Sequence, residues 1–308
     1  APGMRGGGGD PFGFLTTRLG TLMKTFLIAA AAMLGAAVAQ AQTPARAQAN
    51  TVSPAYNWTG FYAGVNAGYG FGDQTTGFSG GDPYIQESTS GPGFPPGTQI
   101  PSGTANAKGA IGGIQFGYNF QTAPQWVVGV EADFNGLDLK GTADSTFRLG
   151  MGLGASQIVG LVANEKADWF GTIRARIGWV PEEKLLVYGT GGLAYGQIRQ
   201  SVVFNAPPNF SGGSGTYGVG FQCSATGLGC FVGSSSRTAV GYAAGAGLEY
   251  AISRNVTLRA EYLYVNLGKT STRASAVTPQ IPYAPASFVA NFGDFDFNVV
   301  RAGLNYRF

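Results

Sequence analysis

The chain has 308 residues, of which 51 are Gly, 21 Phe, 14 Tyr and 4 Trp; 11% are charged and none is His. A soluble domain carries about 25% charged residues, so this chain has too little charge for an ordinary water-facing surface. The absence of His removes Ser-His and Cys-His activation of a nucleophile, and with it His-dependent acyl transfer and proteolysis, leaving open an enzyme that uses carboxylates alone.

Residues 1–22 hold Met4 and the run Gly6 to Gly9 with no targeting logic, and read as a leader that is not native. Met23-Lys24 opens TFLIAAAAMLGAAVAQA, one positive charge followed by an apolar core and small residues Ala39 and Ala41. That is a secretory signal peptide over 23–41, with cleavage expected after Ala41. Removing residues 1–41 takes away Arg5, Arg18, Lys24 and Asp10, leaving 16 basic against 15 acidic side chains. A net charge of +1 gives no case for nucleic acid as a partner. Residues 42–55, rich in Ala, Gln and Pro, read as a flexible lead into a domain over 56–308.

No stretch after residue 41 supplies the roughly 20 continuous apolar residues of a membrane helix. A membrane protein of this composition must then be built from strands, and in lipid a sheet must close, because an open edge leaves backbone N–H and C=O groups unpaired. Alternation of period two predicts strands at 58–72, 107–120, 126–140, 166–180, 185–203, 237–252, 255–268 and 295–308. Each exceeds the roughly 9 to 11 residues that a tilted strand needs to cross the hydrocarbon. In the first, Phe61, Ala63, Val65, Ala67, Tyr69 and Phe71 share one face; in the last, Val300, Ala302, Leu304, Tyr306 and Phe308 do.

Three connections are tight, at 121–125, 181–184 and 253–254. Between them lie residues 73–106, 141–165, 204–236 and 269–294, rich in Gly, Ser, Thr and Pro, which read as four long loops. Strict alternation of short and long connections puts all turns on one side of a membrane and all loops on the other, as in bacterial outer-membrane barrels. The fold class expected is all-β, an eight-stranded antiparallel up-and-down transmembrane barrel.

The run Asn57-Trp58-Thr59-Gly60-Phe61-Tyr62-Ala63-Gly64-Val65-Asn66-Ala67-Gly68-Tyr69-Gly70, with the Tyr306-Arg307-Phe308 end, resembles the small outer-membrane immunogenic or porin-family proteins of alphaproteobacteria. The resemblance implies a barrel similar in architecture to that of outer membrane protein A, located in the cell outer membrane. It carries no catalytic residues. It also implies that the terminal ring, Phe308 with Tyr306, is an assembly signal read by the barrel-insertion machinery, a partner beside outer-membrane lipid itself.

Taking the apolar parity as lipid-facing sends Glu131, Asp133, Asp168, Arg174, Arg176, Glu249, Arg259, Glu261, Arg301 and Arg307 into the lumen. Charges in a narrow bore are tolerable only as paired, hydrogen-bonded networks, so five acids against five arginines predict mutual neutralisation. Such pairs either fill the barrel or line a pathway. Cys223 and Cys230 share one loop, and in an exported chain their spacing favours a local disulfide over two free thiols. With no His and no nearby carboxylates they make no closed zinc site, and no metal or cofactor is expected.

Gly189-Thr190-Gly191-Gly192 looks like a phosphate loop but sits in a strand with no helix after it. Asn57, Asn209 and Asn255 open glycosylation sequons that a bacterial export signal makes irrelevant. The function expected is non-enzymatic: envelope integrity and surface contact through the long loops. The alternatives are a porin-like channel for small solutes, or a surface receptor whose ligand or host partner the sequence does not name; for a receptor pocket Tyr84, Phe94, Tyr217, Phe221 and Tyr283 are the loop aromatics on offer.

Overall fold

The computed structural model describes residues 56–89, 100–150, 156–279 and 281–308. The expected leader 1–22, signal peptide 23–41 and lead 42–55 lie outside the described residues, as does Phe94. Eight long strands form one closed antiparallel barrel: β1 (Gly60–Gly80), β2 (Ile100–Ala123), β3 (Trp126–Gly150), β4 (Ser156–Glu182), β5 (Leu185–Asn205), β8 (Phe231–Ala251), β9 (Val256–Ala276) and β11 (Ser287–Arg307). Closure comes from β1 pairing with β2 on one edge and with β11 on the other. Three short strands, β6 (Ser211–Ser214), β7 (Val219–Gln222) and β10 (Ala284–Pro285), make a separate small sheet, and one helix, α1, spans Pro83–Thr89.

Much of what reads as loop in the sequence is strand. The expected loops 73–106, 141–165, 204–236 and 269–294 each lose residues to continuations of the barrel wall, so β3 runs to Gly150 and β9 to Ala276. The physical reason is visible along β3. Trp126, Val128, Val130 and Phe134 point outward, and Glu131, Asp133 and Asn135 inward. Four residues on, the parity holds but its chemistry is reversed: Leu137, Leu139, Ala143 and Phe147 are buried inside, while Asp138, Lys140, Thr142 and Asp144 face out. One half of the barrel is apolar outside and polar inside; the other is apolar inside and polar outside, as in a water-facing sheet.

Aromatic side chains mark the limits of the lipid-facing half. Trp126 and Trp179 stand opposite each other at the turn end, and Phe134, Trp169 and Tyr195 pack in sequence across β3, β4 and β5 at the upper end. The ten steps from Trp179 to Trp169, at about 3.4 Å each and a tilt of about 40°, span about 26 Å, the height of an outer-membrane apolar band.

Inside that band, glycine makes room for large inward side chains. A Cβ on Gly117 would sit 2.3 Å from the Tyr62 ring, and one on Gly247 2.5 Å from that of Tyr188. Above the band the bore is closed by an apolar core that includes Phe78, Phe147, Phe204, Phe231 and Phe288. The small β6-β7-β10 sheet covers it: Phe221 packs between Phe210 and Phe231, and Ile85 of α1 is fully buried in the same core.

A charged layer inside the barrel

The lumen of the lipid-spanning half holds a network to which all eight strands contribute. On β3 and β4, Glu131 and Arg174 are direct register partners, as are Glu249 and Arg259 on β8 and β9, and Glu261 and Arg301 on β9 and β11. Closing the sheet then brings distant strands together across the bore. Arg259 donates through Nη1 to Glu131 Oε2 at 2.6 Å and through Nη2 to Oε1 at 3.0 Å. Arg174 reaches Glu131 at 2.6 Å, Asp133 at 2.8 Å and Glu261 at 3.2 Å. Arg301 donates through Nε to Glu261 Oε2 at 2.7 Å and through Nη2 to Asp133 Oδ2 at 2.9 Å. Arg176 reaches Glu249 at 2.9 Å and lies 3.9 Å over the Tyr188 ring.

Neutral side chains complete the valences. Tyr62 donates to Glu131 at 2.6 Å and Tyr188 to Glu261 at 3.0 Å. Glu249 also accepts from Thr257 at 2.6 Å and Asn305 at 2.9 Å, and Asn305 accepts in turn from Gln115 at 2.8 Å. Four carboxylates thus meet four guanidinium groups, all buried, which is the condition under which charges persist in a low-dielectric interior.

Two members of the expected set stand outside this network. Asp168 is not in the lumen: β4 bulges between Ala167 and Trp169, and one unpaired residue exchanges the faces of everything beyond it. Asp168 consequently pairs on the outer wall with Lys166 at 2.6 Å and Arg199 at 2.9 Å. Arg307 does point inward but meets no acid; its guanidinium donates to the backbone oxygens of Asn57 and Thr59 and lies 4.8 Å over the Tyr56 ring, tying down the turn end. The same bulge turns Glu165 inward, a residue that strict parity misses. It lies in the extension beyond the lipid band, accepts from Gln200 at 2.5 Å, and burial pushes its carboxyl up to about 7 against the lowering effect of that amide.

Cys223 and Cys230 are joined by a disulfide at the edge of the small sheet. Tyr306 and Phe308 are outward and exposed at the turn end, their rings 5.4 Å apart. Of the loop aromatics, Phe221 is core, Tyr84 packs against it, and Tyr217 donates its hydroxyl to Glu87. Among the described residues no group of His, Cys, Asp and Glu is arranged to hold a metal.

The closed antiparallel barrel agrees with comparisons to known proteins. Residues 27–308 match the family described as outer membrane protein beta-barrel domain. The 31 kDa outer-membrane immunogenic protein of Brucella melitensis is 35% identical over 290 residues, 93% of this chain and 100% of that protein. A 22 kDa outer membrane protein of Rhizobium leguminosarum is 27% identical over 85% of this chain and 83% of its own length. Among solved structures, the outer membrane protein OprG from Pseudomonas aeruginosa matches with a TM-score of 0.39 and 14% identity, covering 81% of this chain and 96% of that one. The chain belongs to the outer membrane protein beta-barrel family and resides in the cell outer membrane.

Proposed function

We propose that this barrel is non-enzymatic and serves envelope integrity and surface contact, with its strand extensions and cap facing outside the cell and its tight turns facing the periplasm. The observation that carries this reading is the filled bore: eight buried charges cross-linked from strand to strand, in a barrel whose strand number leaves room for little but side chains. A wall held together from within resists lateral distortion. The lack of His supports the non-enzymatic part, and the word immunogenic in the name of the Brucella relative supports an exposed outer portion. Purified protein in a planar bilayer is expected to show at most small, rare conductance events. A large, steady conductance would replace this reading with that of a channel.

A further inference from the structure

The outer wall of the extension carries an unbalanced row of cations. Lys108, Lys140, Lys166 and Arg199 stand opposite one another in register on β2, β3, β4 and β5, and Ser236 on β8 ends the row opposite Arg199. Like charges directly opposite one another destabilise a sheet. Two acids pair with these four cations: Asp138, 2.9 Å from Lys140 and 3.9 Å from Lys166, and Asp168, which holds Lys166 and Arg199. Four cations against these two acids leave the row with two positive charges in excess.

One rung further from the membrane a second row runs parallel to the first. Thr142, Asn164, Ser201 and Ser234 are register partners on β3, β4, β5 and β8; Thr142 donates to Asn164 at 2.8 Å. Between and above these rows the small side chains leave an open groove of about 710 Å³, lined by Lys140, Lys166 and Arg199 on one side and by the hydroxyl and amide groups on the other. Its height is fixed by Trp169, which caps the lipid band three residues before Lys166 is reached. The groove therefore sits where phosphates of a membrane leaflet lie, with sugar-compatible donors and acceptors just beyond them.

We propose that this groove binds the phosphorylated sugar headgroup of an outer-leaflet glycolipid, phosphates on Lys140, Lys166 and Arg199 and sugar hydroxyls on Asn164 and Ser201. The assignment rests on the orientation proposed above. Lys and Arg supply the charge-assisted hydrogen bonds that phosphate oxygens accept, and the extended rows match a ligand that lies along the wall. Asp168 tempers the site by competing for Lys166 and Arg199.

The full barrel in nanodiscs is titrated with lipid A carrying both phosphates, with lipid A stripped of them, with phosphatidylglycerol and with inorganic phosphate. Binding of the bisphosphorylated lipid is expected to weaken at least tenfold in Lys140→Gln/Lys166→Gln/Arg199→Gln and to tighten in Asp168→Asn, which removes the competing acid. Asn164→Ala/Ser201→Ala is expected to weaken lipid A several-fold and leave phosphatidylglycerol unchanged. Undiminished binding by the triple variant, equal binding of the stripped lipid or of phosphatidylglycerol, or occupation by inorganic phosphate in the same concentration range overturns the proposal. Labelling of Thr104→Cys by an impermeant maleimide on intact cells reads the orientation separately. Labelled cells with unchanged triple-variant binding condemn the groove alone, whereas unlabelled cells condemn the orientation and the proposal with it.

Discussion

Glu131 is the residue on which the charged layer turns. Its two oxygens accept from Arg174, Arg259 and Tyr62, groups carried by β4, β9 and β1. Glu131→Gln leaves the buried layer with one uncompensated positive charge, and breaking a buried pair in this way costs about 3 to 5 kcal/mol. Reversible unfolding into lipid vesicles should show that loss. Adding Arg259→Gln restores the charge balance and should recover part of it; a double variant no better than the single would mean that geometry, not charge, sets the cost. Glu165 tests a different principle, because its carboxyl is raised from 4.5 to about 7 by burial. The fold then holds a proton that the unfolded chain has released, so this contribution is intact below about pH 4.5, declines as pH rises and is gone above about pH 7. Subtracting the stability profile of Glu165→Gln from that of the native protein should leave this decline. A flat difference would mean that Glu165 is solvated.

The strands show how far a periodic sequence can be read and where it misleads. Glu131, Asp133, Arg174 and Arg301 are buried at positions that alternation assigns to the bore, where one side of the strand meets hydrocarbon and the other the interior. Alternation placed Asp168 wrongly because a single bulged residue is invisible to a period-two count. It also cut the strands short: above the band the outward positions become Asp, Lys, Thr and Ser, and the loss of apolar residues from that face reads as loop when in fact the apolar set has moved inside. Contacts across the bore, such as Arg259 to Glu131, have a sequence separation of 128 and no local signal at all. The end of β11 was legible. Tyr306 and Phe308 face outward beside Phe61, whose carbonyl accepts from the Phe308 amide at 3.1 Å. Deleting Phe308 should lower the yield of inserted barrel, read as heat-modifiable mobility of outer-membrane fractions; unchanged mobility and yield would show that the terminal ring is dispensable for assembly.

At the scale of the whole molecule, the bore is closed three times over. At the turn end Trp58, Val127, Leu186 and Ala251 fill it; the four-plus-four charged layer follows; beyond it Leu139, Phe170, Leu263 and Phe297 form an apolar plug that continues toward the cap. A sequence that shows ten inward charges invites the expectation that trimming a pair would open a pathway. The layers argue otherwise. Arg259→Ala/Glu261→Ala removes one cation and one anion, keeps the layer neutral and leaves room for water among Glu131, Arg174 and Arg301. An ion that reached this space would still face apolar packing on both sides, where it could shed its hydration only at great cost. Single-channel recordings of the double variant should therefore match those of the native barrel, while its thermal stability falls. A steady conductance from the double variant would show that the charged layer alone seals the bore and that the apolar layers yield to water.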